Sequence, residues 1–216
     1  MKPRLEDFKK AFPTLEAELL REHLERLDDR YFESFDLADI ARHVEGLARL
    51  SPGNPVELLF QRHADDKLEC TVLAFDYAFE FSMITGVLAA TGFSISSGDI
   101  FTYRLNSVSE NTKAVKHRTR KRREVEDRIR RRRIVDRFSG RLLDTSVPFE
   151  NWKDDFRARM QTVFKLLESR SEDALNEAKQ LVNKMVAEQL ERLSMDMDPV
   201  LYPVTMELDN ETGAGT

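Results

Sequence analysis

The chain has 216 residues, a mass of 25.1 kDa, 34% charged residues and a formal net charge of −5, which bounds it to one good core, or one domain with a helical annex. The opening MKPRLEDFKKAF is too charged for a signal peptide and no run of about 18 apolar residues could span a bilayer. A single cysteine, Cys70, excludes a disulfide framework, and a reducing cytoplasm is the compartment expected.

Charge is unevenly spread. Between Lys113 and Arg141 fourteen basic residues face four acids, an excess of +10 that leaves the rest of the chain at −15.

In chain order, Leu5, Phe8 and Phe12 begin a helix; after Pro13, Thr14 is the expected cap of a second, carrying Leu15, Leu19, Leu20, Leu24 and Leu27 as a one-sided stripe. Tyr31 and Phe32 are placed in the connection. Asp36 caps a third helix through Ile40, Val44, Leu47 and Leu50, stopped by Ser51-Pro52-Gly53. Residues 1–53 therefore read as a helical lead-in to a domain over 54–209, with a flexible tail at 210–216. Val56 to Arg62 reads as a strand that Ala64-Asp65-Asp66 turns back into a second, from Leu68 to Phe75. Phe81, Ile84, Thr85 and Leu88 then fall at helical spacing, with Gly92 placed to end the helix in a left-handed turn. A strand resumes at Phe93 and continues through Ile100, Phe101, Tyr103 and Leu105, with a bulge expected at Gly98.

Residues 106–131 read as a polar, basic insertion in a hairpin. Acid-before-base pairs such as Glu124 with Arg128 predict a helix over at least Arg118 to Arg131, with only Val125 and Ile129 as an apolar seam. A third strand is expected over Arg133 to Phe138. Two long helices follow in a second insertion at 147–195: Phe149, Trp152, Phe156, Met160, Val163, Phe164 and Leu167 mark one, and Ser171 caps the other through Ala178, Val182 and Met185. Leu201 to Leu208 reads as the last strand.

The strand-turn-helix from Asp76 carries a resemblance. Asp76, Ile84, Thr85, Leu88, Ala89, Gly92 and Ile95 stand on matching positions of the ACT domain, the small ligand-sensing βαββαβ module, whose turn reads roughly D-R-P-G-L-L. Tyr77, Ala78 and Phe79 stand where that family has Arg, Pro and Gly. The resemblance implies an α+β fold with a ferredoxin-like core, side-by-side pairing of two copies through their sheets, and an amino-acid effector at Asp76, Tyr77, Ala78, Phe79, Glu80, Phe81 and Ser82. Tyr31-Phe32, Asp39-Ile40-Ala41-Arg42-His43 and the closing LYPVTMELDN further resemble the ACT region of bacterial PII uridylyltransferase/uridylyl-removing enzymes. On that resemblance the chain is the amino-terminal part of a longer nitrogen- or amino-acid-linked signalling protein, a non-catalytic regulatory or assembly module whose partners include other domains of its parent.

No catalytic, metal or cofactor set emerges. Asp196-Met-Asp198 has a D-x-D spacing without the upstream Gly-Ser a nucleotidyl-transferring head needs, and His63-Ala-Asp65-Asp66 lacks further ligands. His23, His43 and His117 read as isolated, and Cys70 as a core residue. The alternative function is binding of nucleic acid or an acidic partner by Arg118, Arg120, Lys121, Arg122, Arg123, Arg128, Arg130, Arg131, Arg132 and Arg133. Nucleic acid is the weaker of the two, because no aromatic residue is interleaved to stack on bases.

Overall fold

A computed structural model describes residues 2–104, 131–169, 171 and 173–196. The expected basic helix up to residue 130 and the expected last strand at 201–208 lie outside them. The described residues form an α+β structure in which one antiparallel sheet has helices on both faces. The helices are α1 (Leu5–Ala11), α2 (Ala17–Arg26), α3 (Asp29–Ser34), α4 (Leu37–Arg49), α5 (Glu80–Ala90), α6 (Phe149–Ser169) and α7 (Ala174–Asp196), and the strands β1 (Val56–Arg62), β2 (Leu68–Phe75), β3 (Phe93–Thr102) and β4 (Arg133–Leu142).

Strand order is β1-β2-β4-β3. The β1–β2 hairpin turns at Asp66 with φ 60°, closed by the His63 N–H donating to the Lys67 carbonyl. β2, α5 and β3 make a crossover with β4 inserted between the two strands it links. The position beside β2, where the strand expected at 201–208 would close a βαββαβ sheet, is occupied by β1, paired from Val56↔Ala74 to Arg62↔Leu68. A five-residue loop closes this local hairpin at small entropic cost.

Because β2 and β4 are central and covered on both sides, their residues are nearly all buried and alternate between two cores. On one face Cys70, Val72, Ala74, Ile134 and Phe138 meet Met83, Ile84 and Val87 of α5 and Phe156, Met160 and Phe164 of α6. Trp152 stacks on Phe156 with centroids 5.5 Å apart. The two long helices are thus structural walls of this core, and α7 lies against α5 so closely that a Cβ at Gly86 would stand 2.4 Å from Val182. On the other face Leu73, Phe75, Phe101, Tyr103 and Val135 share a core with Phe8, Leu20, Leu24, Tyr31, Ile40, Val44 and Leu47. The lead-in is therefore a second helical layer seated on the sheet.

Several local expectations change. Thr14 does not cap α2, whose N-cap is Glu16; the Pro13-Thr14-Leu15 stretch is a turn, with the Leu15 N–H donating to the Phe12 carbonyl. Tyr31 and Phe32 lie in α3, which Asp28 caps. The bulge in β3 is at Ser96, between Ile95 and Ser97, and Gly98 pairs in register with Phe138. Gly140 sets that geometry, since a Cβ there would stand 2.1 Å from the Ser94 carbonyl oxygen. Asp36 does cap α4, accepting the Asp39 N–H at 2.7 Å, and Gly92 does follow α5 with φ 74°.

Candidate functional site

The turn between β2 and α5 brings the seven expected ligand residues into one corner. Asp76 continues the pairing, its N–H donating to the Arg132 carbonyl at 3.0 Å, and Phe79 then takes φ 64°, ψ 17°, so that its carbonyl accepts the Met83 N–H. This is the left-handed backbone that glycine enters without penalty. No side chain caps α5.

The polar members of the turn are already engaged. The Asp76 carboxylate pairs with Arg132, and the Tyr77 hydroxyl donates to Glu168 Oε2 at 2.5 Å. Burial, then that bond to Glu168, raises the Tyr77 pKa. Ala78, Phe79, Phe81 and Ser82 are the exposed ones. Lys179 of α7 sits 4.2 Å from the Phe79 ring centroid, and Phe81 lies 6.1 Å, centroid to centroid, from Phe138.

Beneath the turn lies Asp136 of β4, fully buried on the α5 side of the sheet, which no periodicity singled out. Its Oδ1 accepts the Phe101 N–H at 3.3 Å, while Oδ2 finds no partner among the described residues. Burial, with the nearby charges of Glu80 and Asp76, pushes its carboxyl up to about 7. Glu80 is raised as well, by burial and by Asp76.

Three arginines of the expected basic patch are paired within the fold, Arg131 and Arg133 turned inward and Arg132 at the surface. Arg131 binds Glu168 through two nitrogens, at 3.1 and 2.7 Å, and lies 3.8 Å over the Phe75 ring; Arg132 pairs with Asp76; Arg133 reaches Glu22 of α2 at 2.7 Å. Arg118, Arg120, Lys121, Arg122, Arg123, Arg128 and Arg130 lie outside the described residues.

Next to the turn runs the outer edge of β3. Tyr103 donates its N–H inward to Arg133, so strand alternation turns the backbone groups of Gly98, Ile100 and Thr102 outward. Ile95 and Ile100, on the α5 side, are 39% and 38% exposed, and Phe81 beside them is 48% exposed. The acid of this edge, Asp99, is neutralised on the other face by Arg30 at 3.1 Å and Arg137 at 2.7 Å.

His23 and His43, which read as isolated, are joined through Tyr31. Tyr103 Oη lies 2.6 Å from His23 Nδ1, His23 Nε2 2.8 Å from Tyr31 Oη, and Tyr31 Oη 2.6 Å from His43 Nδ1. Each contact is a hydrogen bond whose direction follows the tautomers of the two histidines. Burial is the main cause holding both histidines neutral, His23 well below its ordinary pKa and His43 at about 3. Positive charge adds to it, from Arg133 and Lys2 on His23 and from Arg42 and Arg137 on His43, as does the repulsion the two rings would feel if both were protonated.

Elsewhere the chemistry is thin. Cys70 is buried and burial pushes its thiol pKa up, away from reactivity. His63 stands 3.4 Å from Glu69 on the hairpin, and no group of three or more His, Cys, Asp or Glu side chains suits a metal among the described residues. His117 and Asp198 lie outside them. No helix among those residues is long and apolar enough to cross a membrane. Clefts of about 270 and 380 Å³ open at the opposite end of the sheet, beside Gly92 and Arg62 respectively. No protein-family model matches the chain, and no curated protein matches it.

Proposed function

We propose that this chain is a non-catalytic regulatory module of ACT-like, ferredoxin-like type that works by pairing with a second copy through β3. The observation that carries the reading is the β3 edge itself. It is ten residues long, carries neither Lys nor Pro, and sets Ile95, Ile100 and the neighbouring Phe81 in contact with water. Such an edge is a template for another strand unless charge, proline or a bulge blocks it, and the bulge at Ser96 leaves Gly98 to Thr102 in regular register. Antiparallel self-pairing would set the same surface against itself about a two-fold axis, and Asp99, already neutralised, offers no like-charge repulsion.

Two features support the ACT-like reading. The path β2-α5-β3-β4, with β4 between the two strands that α5 links, resembles the split β-α-β arrangement of ferredoxin-like folds. Phe79, where the resembled family has Gly, also takes a left-handed backbone that glycine enters without penalty. With Asp76 and Tyr77 engaged internally, assembly is favoured over effector binding as the task of this corner. Membership of a longer nitrogen- or amino-acid-linked signalling protein is part of the proposal. The competing basic-patch reading loses Arg131 and Arg133 to internal partners, while Arg132, exposed, is paired with Asp76.

Light scattering of the purified chain tests the reading. A dimer that Ile100→Lys converts to a folded monomer is the expected result, and a wild-type monomer at high concentration overturns it. A thermal-shift screen of amino acids, with Asp76→Ala as control, tests whether the turn also senses an effector.

A further inference from the structure

Asp136 occupies an unusual place. In the sheet its neighbours are Val72 of β2 and Ile100 of β3, and along β4 the same face carries Ile134 and Phe138. Among the described residues, one carboxylate oxygen receives a single backbone N–H and the other none. The charged groups facing it offer no compensation: Glu80 of α5 and Asp76 of the preceding turn are both acidic, and the guanidinium of Arg132 is held by Asp76. Asp99 and Arg137 belong to the opposite face of the sheet. A carboxylate with one hydrogen bond and two acidic neighbours in an apolar wall is far less stable than the neutral acid.

On the β3 side the cross-strand partner of this carboxyl is Ile100, 38% exposed, and Phe81, 48% exposed, lies 6.1 Å, centroid to centroid, from Phe138, two residues along the same face of β4. Ile100 and Phe81 are also the residues a second copy would cover, so the edge and the carboxyl are coupled. We infer that pairing through β3 is proton-linked, the neutral Asp136 carboxyl favouring the pair and its ionised form opposing it. The inference rests on the assembly reading above and adds its regulation. Covering Ile100 and Phe81 moves bulk water further from an already buried carboxylate and lowers the dielectric around it, so the paired state binds the proton more tightly than the free chain. By linkage, pairing is strongest below the pKa of the free chain and weakens as pH rises through and above it. With that carboxyl pushed up to about 7, the transition falls near neutrality. His23 and His43 lie on the other face and gain protons only in more acidic solution.

The test is the dimer dissociation constant of the full chain, measured by sedimentation at about pH 6 and about pH 8.5, for wild type, Asp136→Asn and Glu80→Gln. The expected result is a wild-type dimer at least ~10-fold weaker at the higher pH, since each carboxyl contributes up to about tenfold per pH unit. Asp136→Asn should pair equally well at both values. Glu80→Gln, which removes an acidic neighbour, should shift the transition to lower pH and serves if the Asn variant does not fold. A wild-type chain that is monomeric at both values overturns the assembly reading and the linkage with it. A dimer indifferent to pH, or a pH dependence that survives in Asp136→Asn, overturns the linkage alone.

Discussion

The hydroxyl of Tyr31 lies 2.6 Å from Nδ1 of His43, and neither side chain reaches solvent. Tyr31 also hydrogen-bonds His23 at 2.8 Å, so one hydroxyl joins α2, α3 and α4. Tyr31→Phe removes an acceptor and a donor at once and leaves two buried ring nitrogens without partners. Chemical denaturation should show a loss of about 2–4 kcal/mol.

The same network sets an acid limit. Both histidines have folded-state pKa values below the unfolded one, His43 at about 3. The unfolded chain therefore binds protons first, and the stability that is present above pH ~6.5 declines as pH falls, by about 1.4 kcal/mol per pH unit for each histidine. Urea midpoints measured between neutral and mildly acidic pH should fall accordingly, and in His43→Gln the decline should be shallower.

Asp136 acts in the opposite sense on stability. Its folded-state pKa is raised to about 7, so the contribution of the neutral acid is complete below the unfolded pKa of ~3.9 and is lost as pH rises toward the folded value. Asp136→Asn should therefore stabilise the chain at pH 8 by roughly 2–4 kcal/mol, with a smaller gain near pH 4. Thermal denaturation at the two pH values gives the comparison.

Phe79 holds a positive φ with its side chain more than half exposed. Phe79→Gly removes the clash of a Cβ in that conformation and should raise stability by about 1 kcal/mol despite the loss of the contact with Lys179. A lower melting temperature would show that the ring contributes more than the backbone strain costs.

Gly140→Ala should be among the most damaging small changes. The added Cβ would meet the Ser94 carbonyl at 2.1 Å and the Phe93 ring at 2.6 Å, forcing β3 away from β4 beside the bulge. A loss of about 3 kcal/mol or more, or failure to fold, is expected in equilibrium unfolding.

Much of the secondary structure was legible because it follows local rules. Asp36 and Gly92 act within a few residues of themselves, and Trp152, Phe156, Met160, Val163, Phe164 and Leu167 mark one helix face by spacing alone. The chemistry of the turn was less legible: Asp76 and Tyr77 could be named as neighbours, but not their capture by Arg132 and Glu168.

By itself the sequence determined the order of the described helices and strands apart from α3, the stop after α5, the left-over charge of its basic stretch and the absence of a disulfide framework. Tertiary structure alone decided that the lead-in covers the second face of the sheet. That placement buries Tyr31 with His23, His43 and Tyr103, residues up to 80 positions apart, and carries Arg133 to Glu22 across 111 positions. It also decided the fate of Asp136, since a polar residue within a strand reads as solvent-facing until both faces of the sheet are known to be covered. The reason is physical: caps and periodicity act over a turn of helix or two residues of strand, whereas burial and charge pairing depend on which distant surfaces the chain brings together.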